Sequence, residues 1–362
     1  MRTLCISLAF AALLTAQQTP TVTDAAVREI TRSAILIDTH NDVTSRTVEG
    51  FDISKADIDG HTDVPRLRAG GVGAVFFAAY VAADYEKTHA SANRALNMID
   101  TVRHDIVAAH PNDFVLATSA ADIEAAHKQG KIAALIGIEG GHAIENSPRL
   151  LRDFYALGVR YMTLTHTNTN GWADSSGDLD DKTVKRNNGL NDLGRQIVAE
   201  MNRLGMIVDI SHVADKTFWD VIEVSKAPPF ASHSSCRALA NVPRNMTDEM
   251  ITALGKKGGV IQINFNCGFL SVKPVNEKPS ATLADVVNHI DHAVKLAGID
   301  HVGIGSDFDG VPCTPTGLDD VSKFPNLTRA LLEKGYKADD IKKIYGGNTL
   351  RLMRAVEAAR GH

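Results

Sequence analysis

The 362-residue chain has only four cysteines and no Cys-x-x-Cys pair, which sets aside cysteine zinc sites and thiol redox motifs. It has no basic excess. Lys plus Arg number 38 against 43 Asp plus Glu, a net charge of −5, so the charge that would neutralise a phosphate backbone is missing and no nucleic-acid partner is expected. There is no run of like charge, no low-complexity linker and no short repeat period, which excludes charged tails and solenoids. No apolar stretch reaches the ~20 residues of a membrane helix. What is present is a globular composition, 44% apolar and 22% charged.

The chain begins Met1-Arg2-Thr3, then runs apolar from Leu4 to Ala16, then reads Gln17-Gln18-Thr19-Pro20. A positive start, a short apolar core and a small residue at the turn predict a signal peptide over 1–16, hence a secreted or periplasmic protein, with 17–362 as a single domain. The last residues, Ala358 to His362, carry no hydrophobic tail, so no membrane anchor is expected. Removal of the leader takes Cys5 with it. The remaining Cys236, Cys267 and Cys313 allow one disulfide, for which Cys236 with Cys267 is the pair considered, or three buried free thiols.

A strand-like run followed by a helical stretch recurs along the chain. The strand candidates are Ala34–Asp38, Gly73–Val81, Ala133–Glu139, Arg160–His166, Gly205–His212, Pro229–His233, Gly259–Phe265 and His301–Asp307. Several are continuously apolar, as in a parallel sheet covered on both faces. Leu193, Ile197, Met201 and Leu204 keep a helical period that stops at Gly205. Val286, Val287, Ile290 and Val294 do the same before Gly298. Eight such units predict a (β/α)8 barrel, with a doubly wound open sheet as the alternative. A barrel should carry its reactive residues at the C-terminal ends of many strands.

That is where they fall. Successive strand ends read Asp38-Thr39-His40-Asn41-Asp42, Glu139-Gly140-Gly141-His142, Thr165-His166, Asp209-Ile210-Ser211-His212, Ser232-His233 and Ser306-Asp307-Phe308-Asp309. A structural core would not place imidazoles and carboxylates there repeatedly, because unpaired polar groups are costly to bury. His40 and Asp42 stand two apart, so on extended backbone they point to one side and can grip one ion. Mixed imidazole and carboxylate donors suit Zn²⁺. Five groups, His40, Asp42, Glu139, His212 and His233, exceed a one-zinc catalytic site and point to two ions sharing a carboxylate. His142 reads as a support for the site, and His289 and His292 as structural or surface residues. The Asp- and Asn-rich segment 168–188 reads as an active-site loop or lid.

The ordered set of segments (37–42, 135–142, 160–166, 171–174, 209–212, 232–235, 243–245 and 303–310) resembles the renal (membrane) dipeptidase family, the zinc dipeptidases of the amidohydrolase superfamily. The resemblance implies that His40 and Asp42 hold one zinc and His212 and His233 the other, with Glu139 as bridge. It implies that His166 contacts substrate near the scissile carbonyl, that Arg244 binds the substrate's free carboxylate and that Asp307 handles the proton. The expected reaction is attack on the peptide bond of a dipeptide by a hydroxide shared between the ions. The resemblance further implies tolerance of a D-residue at the C-terminal position and a homodimer. Two rivals are another amidohydrolase reaction on an acylated amino acid or a lactone, and a metal-dependent binding protein without turnover. The first rival often uses a carbamylated lysine where this chain has Glu139. The second usually lacks one member of the set.

Overall fold

The strand candidates all form strands in the computed structural model, which describes residues 22–57, 59–273 and 277–361. The leader expected over 1–16 lies outside the described residues. The strands are β1 (Leu36–Asn41), β2 (Val72–Tyr80), β3 (Phe114–Leu116), β4 (Ile132–Glu139), β5 (Val159–Thr163), β6 (Ile207–Asp209), β7 (Phe230–Ser234), β8 (Val260–Ile263) and β9 (Val302–Ile304). All pairings between them are parallel, in the order β1-β2-β4-β5-β6-β7-β8-β9. A parallel bridge between Asn41 and Phe308 brings the last strand's extension back to the first. The Asp42 N–H donates to Phe308 O (2.9 Å) and the Asp307 N–H to His40 O (3.0 Å). The expected (β/α)8 barrel is therefore the fold, and the open sheet is not.

One strand was not anticipated. β3 pairs with the first residues of β4, Phe114 opposite Ile132 through Leu116 opposite Ala134. β5 takes over from Ile136 opposite Val159. The two share one edge of β4, which is hydrogen-bonded along its other edge to β2 from Ala133 to Glu139.

Side chains alternate between two cores, as the two-residue period of a strand requires. Ile37, Phe76, Leu135, Tyr161, Phe230 and Val260 belong to one buried cluster, joined by Leu352, Met353 and Val356 of the C-terminal helix Asn348–Ala358. Their sequence neighbours Leu36, Val75, Ile136, Met162, Ala231 and Ile261 belong to the other, with the surrounding helices. The helix Asp192–Leu204 is capped by the Asn191 side chain and ends at Gly205, whose φ of 78° suits a residue without Cβ. The helix Leu283–Ala297 starts with a reciprocal Thr282–Asp285 cap.

The cysteine pairing differs from the pair considered above. Cys267 is bonded to Cys313, and Cys236 is a buried free thiol. Cys267 opens the short helix just after β8 and Cys313 follows β9, so neighbouring strands bring together residues that are 46 apart in sequence. Cys236, after β7, packs instead against His289, whose Nδ1 accepts its backbone N–H. No helix among the described residues is long and apolar enough to cross a membrane.

Candidate metal centre

The site is assembled at the C-terminal ends of the strands, partly on strands and partly just beyond them. His40 lies in β1, Glu139 is the last residue of β4, and His233 lies in β7. His166, His212 and Asp307 each come three residues after a strand ends, at Thr163, Asp209 and Ile304. His212 (φ 66°) and Asp307 (φ 64°) adopt left-handed backbone, which is costly for residues with a Cβ and must be held by the surroundings. The His212 carbonyl is held by the Ser176 N–H (2.8 Å) and the Ser176 hydroxyl (3.0 Å).

Glu139 is the common neighbour. Its Oε2 lies 3.5 Å from His40 Nε2, and that nitrogen is 3.2 Å from Asp42 Oδ2. Its Oε1 lies 3.0 Å from His212 Nε2, 3.2 Å from His233 Nε2 and 3.7 Å from His166 Nε2. Three sets of donors fall within one ion's reach: His40, Asp42 and Glu139; Glu139, His166 and His212; and His40, His233 and Asp307. All eight residues expected from the sequence except Arg244 thus meet in one cluster. The grouping is tighter than two separate pairs, since the His40 and His233 rings stack at 3.7 Å and His166 reaches donor distance.

The donors are oriented from behind by groups that sequence reasoning did not single out. His40 Nδ1 is 2.8 Å from the hydroxyl of buried Tyr161. His233 Nδ1 is 2.6 Å from Ser232 Oγ, which donates to Asp209 Oδ2 (2.6 Å). Asp209 also accepts from Thr163 Oγ1 (2.5 Å) and the Ser211 N–H (3.0 Å). Asp307 Oδ2 accepts from Asn264 Nδ2 (2.8 Å). Asp38 accepts from the Ser306 N–H (2.8 Å) and hydroxyl (2.6 Å), tying β1 to the segment that carries Asp307, and burial pushes its carboxyl up to about 6. Such partners fix the ring orientation and tautomer of a ligating histidine. The only trace they leave in the sequence is a polar residue interrupting an apolar strand.

The charge pattern fits a cation. Burial would raise Glu139, but the charges of His40 and His166 and hydrogen bonds from His212 and His233 hold it well below the usual carboxylate range. His212 and His233 are held well below 6.5, first by burial and then by neighbouring positive groups, so they stay neutral, which is the ligating form. Burial lowers His40, yet the Tyr161 hydroxyl and the charges of Glu139 and Asp42 outweigh it and lift the ring well above its ordinary value. That is a demand for positive charge which a metal ion meets equally. Asp307 is pushed up to about 8, first by burial, then by the Asp42 and Glu139 charges against the opposing pull of His40. His40 Nε2 is buried without a hydrogen-bond partner among the described residues, as a metal-facing nitrogen would be.

Asp42, Tyr80, Glu139, His166, His212 and Asp307 line a cavity of about 430 Å³, closed on another side by Asn266, Phe269, Asp309 and Gly310. Gly310 permits this approach, because a Cβ there would come 2.3 Å from Asp42 Oδ2. Arg244 is not among the described lining residues. Its Nη2 donates to His233 O (2.7 Å) and its Nη1 to Ser234 Oγ (2.8 Å), while its Nε is buried and has no partner among the described residues. His142 is buried beside Gly140, both ring nitrogens without partners among the described residues. Segment 168–188 backs the site: Ser175 Oγ donates to the His166 carbonyl, and Ser175 pairs with Val213. Its acidic residues serve the loop itself. Asp178 accepts from Thr169 and Arg186, and Asp174 from the Asn187 and Gly189 N–H groups.

A family model described as membrane dipeptidase (peptidase family M19) matches residues 24–362. The dipeptidase verJ of Clonostachys rogersoniana is 40% identical over 342 residues, covering 89% of this chain and 84% of its own length. A probable dipeptidase of Pseudomonas aeruginosa, PvdM, superposes with a TM-score of 0.85 at 25% identity, covering 93% of this chain and 98% of its own. A metallopeptidase of Rhodobacter sphaeroides, solved with a phosphinate mimic of the dipeptide L-Ala-D-Ala, has a TM-score of 0.79 at 29% identity, covering 90% and 100%. With a parallel barrel, a histidine–carboxylate cluster at its C-terminal mouth and this match along nearly the whole described chain, the protein belongs to the membrane dipeptidase family, peptidase family M19, and is a metallo-dipeptidase.

Proposed function

We propose that the protein is a two-zinc dipeptidase acting on dipeptides with a free C-terminal carboxylate, including those ending in a D-residue. The observation that carries this reading is the division of Glu139 between two donor sets, Oε2 toward His40 and Oε1 toward His212 and His233. His40 and Asp42 would hold one ion, His212 and His233 the other, and Glu139 both. When bound, the ions supply a water acidic enough to lose its proton near neutral pH and a Lewis acid for the carbonyl.

The remaining work falls to the chain's own groups. His166, facing the cavity, donates a hydrogen bond to the carbonyl oxygen as negative charge develops there. Asp307, positioned by Asn264, takes up a proton and returns it to the leaving amine nitrogen. Arg244 binds the substrate carboxylate: two of its five N–H donors go to His233 O and Ser234 Oγ, which leaves others for it. A cavity of about 430 Å³, one of whose lining residues, Phe269, packs against Arg244, favours two-residue substrates. The neighbour that binds an L-Ala-D-Ala mimic supports the D-residue expectation.

We further read 1–16 as a leader for export and 17–362 as one catalytic domain, with a homodimer as what the family resemblance implies. The testing experiment measures metal content and dipeptide hydrolysis on one sample, before and after chelation. About two zinc per chain, with activity lost on chelation and restored by zinc, is the expected result. A panel of L,L and L,D dipeptides beside a tripeptide follows. Equal turnover of the tripeptide overturns the dipeptide assignment.

A further inference from the structure

We propose that the Cys267–Cys313 disulfide is a clasp that positions two walls of the substrate cavity against each other, and that cleaving it weakens substrate binding while leaving the metal cluster intact. The proposal rests on the reading of the cavity as the dipeptide site.

One wall is the turn after β8. There the Asn266 side chain accepts the Gly268 N–H (2.9 Å), starting the short helix Cys267–Leu270, and Asn266 and Phe269 face the cavity. The Phe269 ring lies 5.5 Å from the Arg244 guanidinium carbon, so this wall borders the proposed carboxylate site. The other wall is the run after β9, where Asp307, Asp309 and Gly310 face the same cavity and Cys313 follows three residues later.

Below these walls the strands are joined by the Phe265 N–H to Ser306 O (3.2 Å) and by Asn264 to Asp307 (2.8 Å). Above them, among the described residues, the Cys267 N–H to Cys313 O (3.2 Å) is the one hydrogen bond between residues 266–270 and 308–315. The covalent bond is therefore the principal tie between the walls. No proposed metal-holding residue lies in 266–270, so loosening that wall leaves the donors in place.

Cys313 is partly exposed, which gives a reductant access, whereas Cys267 is buried. A water-soluble phosphine attacks one sulfur and releases the other as a thiolate. Water then hydrolyses the phosphonium adduct. The net change is one disulfide, one phosphine and one water giving two thiols and one phosphine oxide, with water supplying the oxygen and both protons. Cys236 is buried and burial pushes its thiol up to about 12, so it does not compete as an exchanging thiolate.

The test compares the native enzyme, the phosphine-reduced enzyme and Cys267→Ala/Cys313→Ala. Thiol labelling, zinc content, and kcat and KM on one dipeptide are measured for each. Reduction should expose two more labelled thiols, leave zinc unchanged, raise KM about fivefold and leave kcat within about twofold, because a less ordered wall costs binding rather than chemistry. Reoxidation should restore KM, and the alanine pair should match the reduced enzyme. Three results would overturn the clasp: no new thiols, unchanged KM, or a loss of kcat that tracks loss of zinc. If instead the native enzyme turns over no dipeptide, it is the functional reading that fails.

Discussion

The Nδ1 of His40 lies 2.8 Å from the hydroxyl of Tyr161, a residue two positions into the fifth strand and fully buried. For Nε2 to offer a lone pair between Asp42 and Glu139, Nδ1 must carry the proton and donate it to that oxygen. Gly137 makes the arrangement possible, since a Cβ there would come 2.0 Å from the Tyr161 ring. Tyr161→Phe keeps the ring and removes the acceptor. Zinc affinity, read by competition with a coloured chelator, should fall about 10- to 100-fold while the fold survives. Wild-type affinity in the variant would remove Tyr161 from the design of the site.

Asp307→Asn tests the proton route. The amide keeps the shape and can still pair with Asn264, but cannot carry a proton to the leaving amine. We expect kcat to drop about 10²- to 10⁴-fold, with the affinity for a phosphinate dipeptide mimic changed far less. Comparable losses in both would mean that Asp307 mainly holds the site together.

Arg244→Lys keeps a positive charge but loses the planar fork and the Nε donor. KM for dipeptides should rise about tenfold or more with kcat nearly constant, since hydrogen bonds to charged groups are worth about 1.5–3 kcal/mol. A dipeptide amide, lacking the carboxylate, should barely distinguish variant from wild type. Equal losses on both substrates would place the arginine's role in supporting His233 and Ser234 instead.

Acid should destabilise the fold partly through His289. Its Nδ1 accepts the Cys236 N–H (3.0 Å) and its Nε2 donates to Leu270 O (3.0 Å), so the ring is needed in its neutral form. Burial holds it below its ordinary 6.5, against weaker opposing pulls from Leu270 and Asp285. The unfolded chain therefore takes up the proton first. The contribution is complete above pH 6.5 and is lost as pH falls toward the lower folded value. Thermal melts between about pH 7 and 5 should show a shallower decline for His289→Gln than for the parent. Parallel declines would exclude this histidine as a source of acid lability.

Much of the site was legible because its signals are local. The His40-x-Asp42 spacing on extended backbone and the recurrence of histidine or carboxylate after apolar runs both follow from strand geometry and the cost of burying polar groups. Contacts between distant segments left no such mark. Cys267 and Cys313 meet only because β8 and β9 are neighbours, and their sequence spacing says nothing of that. β3 is three residues long and follows Pro111-Asn112-Asp113, which reads as a turn. The segment 168–188 reads as an active-site loop or lid because Asp and Asn are common in loops, but the sequence does not show that Asp174 and Asp178 organise its own backbone behind His166 and His212.

The sharing of one β4 edge between β3 and β5 bears on how the molecule breathes. From Ala133 to Glu139 the strand is paired on one side throughout, and on the other side β3 covers its start and β5 its end. Local opening begins where backbone amides have few partners, so this strand should be among the last to admit solvent. Deuterium uptake should reach it after β6, which is three residues long and meets β7 at a single register pair. Glu139, the bridge of the proposed centre, would then sit on one of the slowest-exchanging parts of the barrel, and His212, beyond β6, next to one of the fastest.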